Sequence, residues 1–183
     1  MTTSQASDVT PNASLRSALK SQYHAALAML REAVERCPDA LWADPGPKNA
    51  FWQVAYHTLY FTHLYLMPEE AGFRPWEHQR PAQHPDGIPG RPDPASDLPL
   101  VPDAYSREQV LAYWQVLDGM VDACVDTLEL GRGDSGFPWY RMSKLEHQLV
   151  NLRHLQHHAA QLADRVRAAA DVGVRWVGWG PTA

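Results

Sequence analysis

The sequence predicts an all-α fold, a four-helix bundle with a long proline-rich crossover between its second and third helices. Three observations support this prediction. Apolar residues recur at three- and four-residue steps in four separate segments, which is the period of a helix with one buried face. Ser106 and Ser143 each begin a Ser-x-x-Gln or Ser-x-x-Glu capping box, a signature of helix N-termini. Prolines recur between Pro68 and Pro102 at a spacing that prevents both helices and sheet ladders.

The first predicted helix runs from about Ser14 to Cys37 and is ended by Pro38 and the turn-forming residues 44–47. Its apolar positions form one stripe: Leu15, Leu19, Tyr23, Leu27, Leu30 and Val34. The preceding residues 1–13 are polar and lack the basic start and apolar run of a signal peptide, so we expect a flexible lead-in.

The second predicted helix, from Asn49 to Met67, is apolar on nearly all of its faces. A helix without a polar face belongs in the interior of a bundle. Asn49 is the expected N-cap, and Pro68 is expected to end the helix.

Residues 68–105 are predicted to form an extended connection, because their prolines exclude regular structure. Loops of this length are usually functional or disordered. Phe73, Trp76 and Ile88 could fix this one to the bundle, which favours a partly ordered crossover that packs on the domain.

The third predicted helix runs from Ser106 to near Gly131, and the fourth from Ser143 to about Ala170. The aromatic tail, residues 171–183, is expected to lie against the bundle. The first and third connections are short, so we expect the first and second helices, and the third and fourth helices, to be antiparallel neighbours. These elements predict one domain over residues 1–183.

Composition and charge exclude several classes of function. The chain has 183 residues, a net charge of -5 and a pI near 5.9. Binding to nucleic acid needs concentrated Lys and Arg, so no nucleic-acid partner is expected. The sequence contains no run of about 18 apolar residues, so no membrane span is expected. Cys37 and Cys124 lie far apart and form no C-x-x-C pair, which favours a reducing cytoplasm over a disulfide framework.

The fourth helix carries the most informative pattern. At ~100° per residue, six of its polar positions fall within an arc of about 80°. They are His147, Asn151, His154, His158, Gln161 and Arg165. The apolar positions beside the arc are Leu145, Leu149, Leu152, Ala159, Leu162 and Val166. We therefore expect the polar arc at the border between core and solvent, as in the wall of a pocket.

His154 and His158 are four residues apart, so their Cβ atoms stand ~5–6 Å from each other and both imidazoles can bind one ion. A third ligand must come from another helix, and His57, in the middle of the apolar second helix, is the best candidate. An unpaired buried imidazole is costly, so His57 should have a polar or metal partner.

Each histidine signal also has an ordinary structural interpretation. A histidine pair at this spacing often binds no metal, and a single core histidine is more often hydrogen-bonded than a ligand. His157 lies some 60° outside the pair and is interpreted as solvent-facing, although it could replace either member. His147 is aligned with the pair but ~10 Å along the helix axis, so it could line a cavity without binding the ion.

The chain resembles the DinB/YfiT-like family of metalloenzymes. The segment His154-Leu-Gln-His157-His158-Ala-Ala-Gln161 is similar to the H-x-x-x-H-x-x-Q motif of the last helix of that family. The segment from Asn49 to His57 is similar to the helix that carries the first ligand of the family. The resemblance covers roughly residues 15–170, although Ala160 stands where many members have Gly.

This resemblance implies a DinB-like four-helix bundle, a metal site on His57, His154 and His158, and a homodimer. The implied ion is nickel, zinc or a similar divalent metal. Characterised relatives include transferases and isomerases that act with a low-molecular-weight thiol, such as bacillithiol or mycothiol, and some members are described as hydrolases.

Two hypotheses for the function follow. In the first, the chain is a metal-dependent enzyme that activates a thiol or water for transfer or hydrolysis on a small-molecule substrate. Asn151 and Gln161 would then orient imidazoles or line the pocket, and no catalytic acid or base can be named, because no carboxylate shares the arc. In the second, the chain is a non-catalytic metal- or ligand-binding bundle that acts through dimerisation.

Overall fold

The four apolar-periodic segments form long helices in the computed structural model, which describes residues 11–44, 49–80 and 103–180. The α-helices are α1 (Pro11–Arg36), α2 (Asp39–Trp42), α3 (Phe51–Leu66), α4 (Arg107–Thr127) and α5 (Lys144–Ala170). A single 3-10 turn, Glu70–Gly72, follows α3. The described ranges contain helices and no strands, which confirms the all-α prediction. The single-turn helix α2 was not predicted.

Side chains that cap the backbone determine where α4 and α5 begin. Ser106 accepts a hydrogen bond from the backbone N–H of Gln109 (3.2 Å), and the Gln109 side chain accepts one from Ser106 (2.9 Å), so the predicted capping box is confirmed. Ser143 caps α5 by accepting from the N–H of Glu146 (3.2 Å). At the other end of α5, Asp171 adopts a left-handed conformation (φ 52°), which ends the helix.

Some predicted boundaries were wrong. The N-cap of α3 is Ala50 rather than Asn49, because the Gln53 side chain accepts from the backbone N–H of Ala50 (3.0 Å) and replaces an N-cap side chain. Helix α1 already begins at Pro11, so residues 11–13 are helical, whereas the rest of the predicted lead-in and residues 45–48 lie outside the described ranges. Helix α4 ends at Thr127, earlier than predicted.

The prediction of which helices are neighbours was also wrong. Helix α1 packs on α4 and α5, and α3 packs on the same two helices, so α1 and α3 occupy one diagonal of the bundle. The chain segments 37–50 and 128–143 are long enough to cross the end of a bundle. Helix α3 lies antiparallel to α5, and the long connection leads from α3 to its other neighbour, α4. The predicted crossover topology is therefore present.

The core is a continuous cluster of apolar side chains from all four long helices. The face of α5 that enters it differs from the predicted stripe. Leu155 is fully buried and Leu149 is 50% exposed, although the sequence placed Leu149 in the stripe. Within the polar arc, His147, Asn151 and His158 are buried, whereas His154 and Arg165 are partly buried and Gln161 is exposed, so the arc runs from the interior to the predicted border with solvent.

Both non-helical segments that flank the bundle pack on it where they are described. Trp76 stacks on Tyr113 of α4 with ring centroids 4.8 Å apart, and Phe73 contacts Tyr60 of α3, as predicted. Ile88 lies outside the described residues. The C-terminal tail follows α1, where Gly180 donates to the carbonyl of Ser21 (3.0 Å).

No helix in the described part of the chain is long and apolar enough to cross a membrane.

The observed register of α5 predicts different costs for two leucines. Leu155→Ala should lower the free energy of unfolding by about 2–5 kcal/mol, because it leaves a cavity in the core. Leu149→Ala should change it by no more than about 0.5 kcal/mol, because that side chain is half exposed. Urea unfolding monitored by circular dichroism measures both, and an equal loss in the two variants would contradict this register.

Candidate metal centre

Polar side chains of α5 hold this helix in register with α3. The amide of Gln148 donates to the carbonyl of Tyr65 (2.9 Å), and the amide of Asn151 donates to the carbonyl of Thr62 (3.2 Å). At the far end, Arg165 donates to the carbonyl of Asn49 (2.8 Å). We call this row of contacts the α3–α5 seam.

The seam places His57 of α3 opposite His154 and His158 of α5. The Nε2 atoms of His57 and His154 are 3.1 Å apart, and one ring nitrogen from each of the three residues lies within 4.8 Å of the others. Two nitrogen ligands of a tetrahedral ion with Zn–N distances of ~2.0–2.1 Å stand roughly 3.3 Å apart. The three histidines could therefore hold one metal ion with little movement.

Two of the three imidazoles lie in an environment that favours their neutral form. Burial, with the nearby rings of His154 and His158, holds the pKa of His57 well below its ordinary value. Burial, with the rings of His158 and His157, lowers the pKa of His154 to about 3. A histidine binds a metal only when it is neutral, so His57 and His154 are in the ligating form at neutral pH.

Gln161 lies within hydrogen-bond distance of one of these rings. Its Oε1 atom lies 3.1 Å from Nδ1 of His158 and can only accept a hydrogen bond. Nδ1 therefore carries the proton, and Nε2 of His158 keeps its lone pair. Such a hydrogen bond to the distal nitrogen is typical of metal-binding histidines.

Asn151 occupies a different place from Gln161. Its amide binds the Thr62 carbonyl in the seam, so its described contact is with α3 and not with an imidazole. The Nδ1 atoms of His57 and His154 are buried without a hydrogen-bond partner among the described residues. The ring of Phe61 packs against both, at 4.7 Å from the His57 ring and 5.9 Å from the His154 ring.

Other histidines lie apart from the cluster. His157 is solvent-exposed, as predicted, and contacts only the edge of the cluster, at 4.9 Å from the His158 ring. His63 faces α4 and pairs with the hydroxyl of Tyr113 (3.0 Å). His24 binds Asp118 and Asp122 of α4, so it joins α1 to α4.

His147 is the residue whose environment the sequence did not predict. It is fully buried, and neither ring nitrogen has a hydrogen-bond partner among the described residues. The rings of Tyr65, Phe137 and Tyr140 surround it at 4.8–5.0 Å. Burial, with the charge of Lys144, lowers its pKa to about 4. A cleft of about 360 Å³ lies beyond this cage, lined by residues of the α4–α5 connection and Glu69, and it does not include the three histidines.

A family model described as the DinB superfamily matches residues 22–162, well over half of the chain. The matched range includes the three clustered histidines and Gln161. No curated protein and no solved structure is significantly similar to the chain.

The cage around His147 predicts a pH-dependent effect of its removal. At pH 7, His147→Leu should leave stability unchanged or raise it, because no hydrogen bond is lost. In an unfolded chain a histidine has a pKa near 6.5, so the unfolded state takes up the proton first and stability falls between about pH 6.5 and pH 4. The variant should lose less stability over that interval, as measured by urea unfolding at several pH values.

His63→Leu is the matched control, because it removes a buried imidazole that does have a partner and leaves the Tyr113 hydroxyl unpaired. It should destabilise the protein at pH 7 by about 1–3 kcal/mol. An equal loss at pH 7 in both variants would contradict the absence of a partner for His147.

Proposed function

The chain belongs to the DinB superfamily, and from this membership and the convergence of three imidazoles we propose that it is a metal-dependent enzyme. A divalent ion on His57, His154 and His158 would activate a thiol or water for transfer to, or hydrolysis of, a small-molecule substrate.

The observation that carries this proposal is the meeting of three imidazoles from two different helices, two of them on buried residues. Protein interiors avoid polar groups without partners, since each costs roughly 1–3 kcal/mol. Here, two Nε2 atoms stand 3.1 Å apart while the Nδ1 atoms of the same rings have no partner. One cation bound to the cluster would use a lone pair from each of the three rings. A hydrogen bond between two of the rings would use the lone pair of only one of them.

The ligand set favours particular metals. Imidazole nitrogen suits zinc, nickel and copper, whereas magnesium and calcium prefer oxygen ligands. We propose zinc or nickel. Such an ion, when bound, lowers the pKa of a coordinated water or thiol and leaves at least one position open for it.

The charge of the site favours an anionic ligand. The cluster contains no carboxylate among the described residues, and burial lowers the pKa of His57 and His154. The protein therefore does not neutralise the charge of a divalent ion, and a thiolate or hydroxide would do so. We propose a low-molecular-weight thiol as the cofactor, since thiolates are strong nucleophiles near neutral pH.

Residues around the cluster would maintain this arrangement. Gln161 holds the His158 ring with its lone pair toward the cluster, and Phe61 covers two of the rings with an apolar surface. Asn151 would act at a distance, by fixing the register of α5. The free thiols of Cys37 and Cys124 fit the reducing cytoplasm that we propose as the compartment.

A non-catalytic, metal- or ligand-binding bundle that acts through dimerisation is the second candidate. Trp176 and Trp179 of the tail are 77% and 79% exposed, and exposed indoles are typical of interaction surfaces. The two candidates share the metal site and a homodimer, and they differ in turnover.

Metal content tests the proposed site directly. Protein purified without a histidine tag and dialysed against zinc or nickel should retain about one ion per chain, measured by mass spectrometry of the metal. His158→Ala should retain almost none, because two imidazoles hold an ion weakly, and added metal should raise the melting temperature of the wild type alone.

His157→Ala is the matched control, because its ring is exposed and outside the cluster. It should bind metal as the wild type does. Loss of metal in His157→Ala, or full retention in His158→Ala with unchanged helicity, would refute the assignment of these ligands.

The exposed indoles predict the dimer surface. The double substitution Trp176→Ala and Trp179→Ala should shift a wild-type dimer toward monomer in sedimentation equilibrium without changing its metal content. Leu149→Ala, which removes an exposed apolar side chain elsewhere, should leave the dimer intact. A monomeric wild type would contradict the homodimer itself.

A further inference from the structure

Arg165 lies on the same face of α5 as the metal centre. His154, His158, Gln161 and Arg165 follow one another at four-, three- and four-residue steps, so they form one row along the helix. Arg165 stands two turns beyond His158, ~10 Å along the helix axis. It also lies beyond residue 162, where the match to the family model ends.

The guanidinium of Arg165 has no carboxylate partner among the described residues. Its described bond is to the carbonyl of Asn49 (2.8 Å). By contrast, five other arginines form ion pairs: Arg31, Arg36, Arg107, Arg132 and Arg175.

A purely structural role explains Arg165 less well than it explains Arg16. Arg16 also binds backbone carbonyls, those of Val125 and Leu128, but these lie at the C-terminal end of α4. The last carbonyls of a helix lack partners and attract cations. Asn49 precedes the N-terminus of α3, where no helix dipole favours a positive charge. Burial also lowers the pKa of Arg165, because it partly removes the charged guanidinium from water. Keeping the charge at this position therefore costs free energy.

We propose that Arg165 determines substrate specificity by binding an anionic oxygen group, a carboxylate or a phosphate, on the molecule whose reactive atom lies at the three-histidine centre. This inference rests on the proposed function. The substrate or thiol cofactor is then a small molecule that carries its anionic group about 10 Å from the reactive atom. The planar guanidinium binds such groups through two parallel hydrogen bonds, which gives orientation as well as affinity.

The position of Gln161 agrees with this geometry. Its exposed side chain lies between His158 and Arg165 in the row, so a molecule that reaches from one to the other passes over it. Gln161 is already bound to His158 through Oε1. Its amide N–H groups could donate a second hydrogen bond to such a molecule.

The test uses the full chain loaded with cobalt(II), whose charge-transfer absorption reports a bound thiolate. Thiols of one chain length that end in a carboxylate, a phosphate or a hydroxyl group are titrated into the wild type. The anionic thiols should bind roughly ten- to a hundredfold more tightly than the alcohol, because the hydrogen bonds to Arg165 are charge-assisted. The preferred anion distinguishes a carboxylate from a phosphate ligand.

Arg165→Met should abolish this preference and leave the affinity for the alcohol unchanged, whereas Arg165→Lys should retain part of it. Arg153→Met, which removes an exposed arginine from another face of α5, is the matched control and should behave as the wild type does. The Lys variant keeps the charge, so it tests the proposal even if the Met variant fails to fold.

The negative results have different meanings. If the wild type binds all three thiols equally, or if Arg165→Met still prefers the anionic thiols, Arg165 does not bind the anionic group. Either result leaves the proposed metal centre unaffected. If no cobalt binds, the proposed metal site fails and this inference fails with it. If cobalt binds and no thiol changes its spectrum, the thiol cofactor and this inference are refuted, and only activation of water remains of the proposed function.

Discussion

The antiparallel register of α3 and α5 is the constraint on which the rest of the site depends. Side chains of α5 reach carbonyl oxygens of α3 at two levels, through Gln148 and Asn151. A slip of one residue along the seam would break these bonds together and leave buried amides without partners, at roughly 1–3 kcal/mol each. The three imidazoles meet because this register allows little movement.

Burial then determines the chemistry of the residues that the register brings together. Removing an imidazole from water disfavours its charged form, so the cluster remains neutral at a pH where exposed histidines begin to protonate. The same effect acts on His147, which has no ligand role to compensate it. The seam therefore contains two kinds of imidazole with a lowered pKa. His57 and His154 belong to the cluster that could bind a metal ion, whereas His147 is enclosed by aromatic rings.

The sequence predicted the parts of this arrangement that depend on spacing along one helix. The four-residue step from His154 to His158, the position of Gln161 and the cap at Ser106 are local, and the structure has each of them as expected. Packing across the bundle is not local. Leu149 and Leu155 are both leucines near the same face, and only the positions of α1 and α3 decide which one is buried.

For the same reason, the neighbours of each helix could not be read from the connections. Residues 37–50 look like a short link, because prolines and a turn dominate their composition. They include the unpredicted helix α2, whose Trp42 packs on Phe51 at 5.7 Å, and their span allows α3 to lie diagonally across from α1. The burial of His147 escaped prediction because the α4–α5 connection supplies two rings of its cage.

The two ends of the seam also differ in a way that indicates how a ligand would reach the centre. Toward His147, three aromatic rings and the fully buried Lys144 close the α3–α5 interface. In the other direction, His157 and Gln161 are exposed and the guanidinium of Arg165 is half-buried. A ligand that approached through the aromatic end would have to displace these rings, whereas at the Arg165 end it would meet side chains that are already partly in contact with water. In the described part of the chain, the Arg165 end is therefore the less enclosed side of the three histidines, and Arg165 supplies a positive charge there.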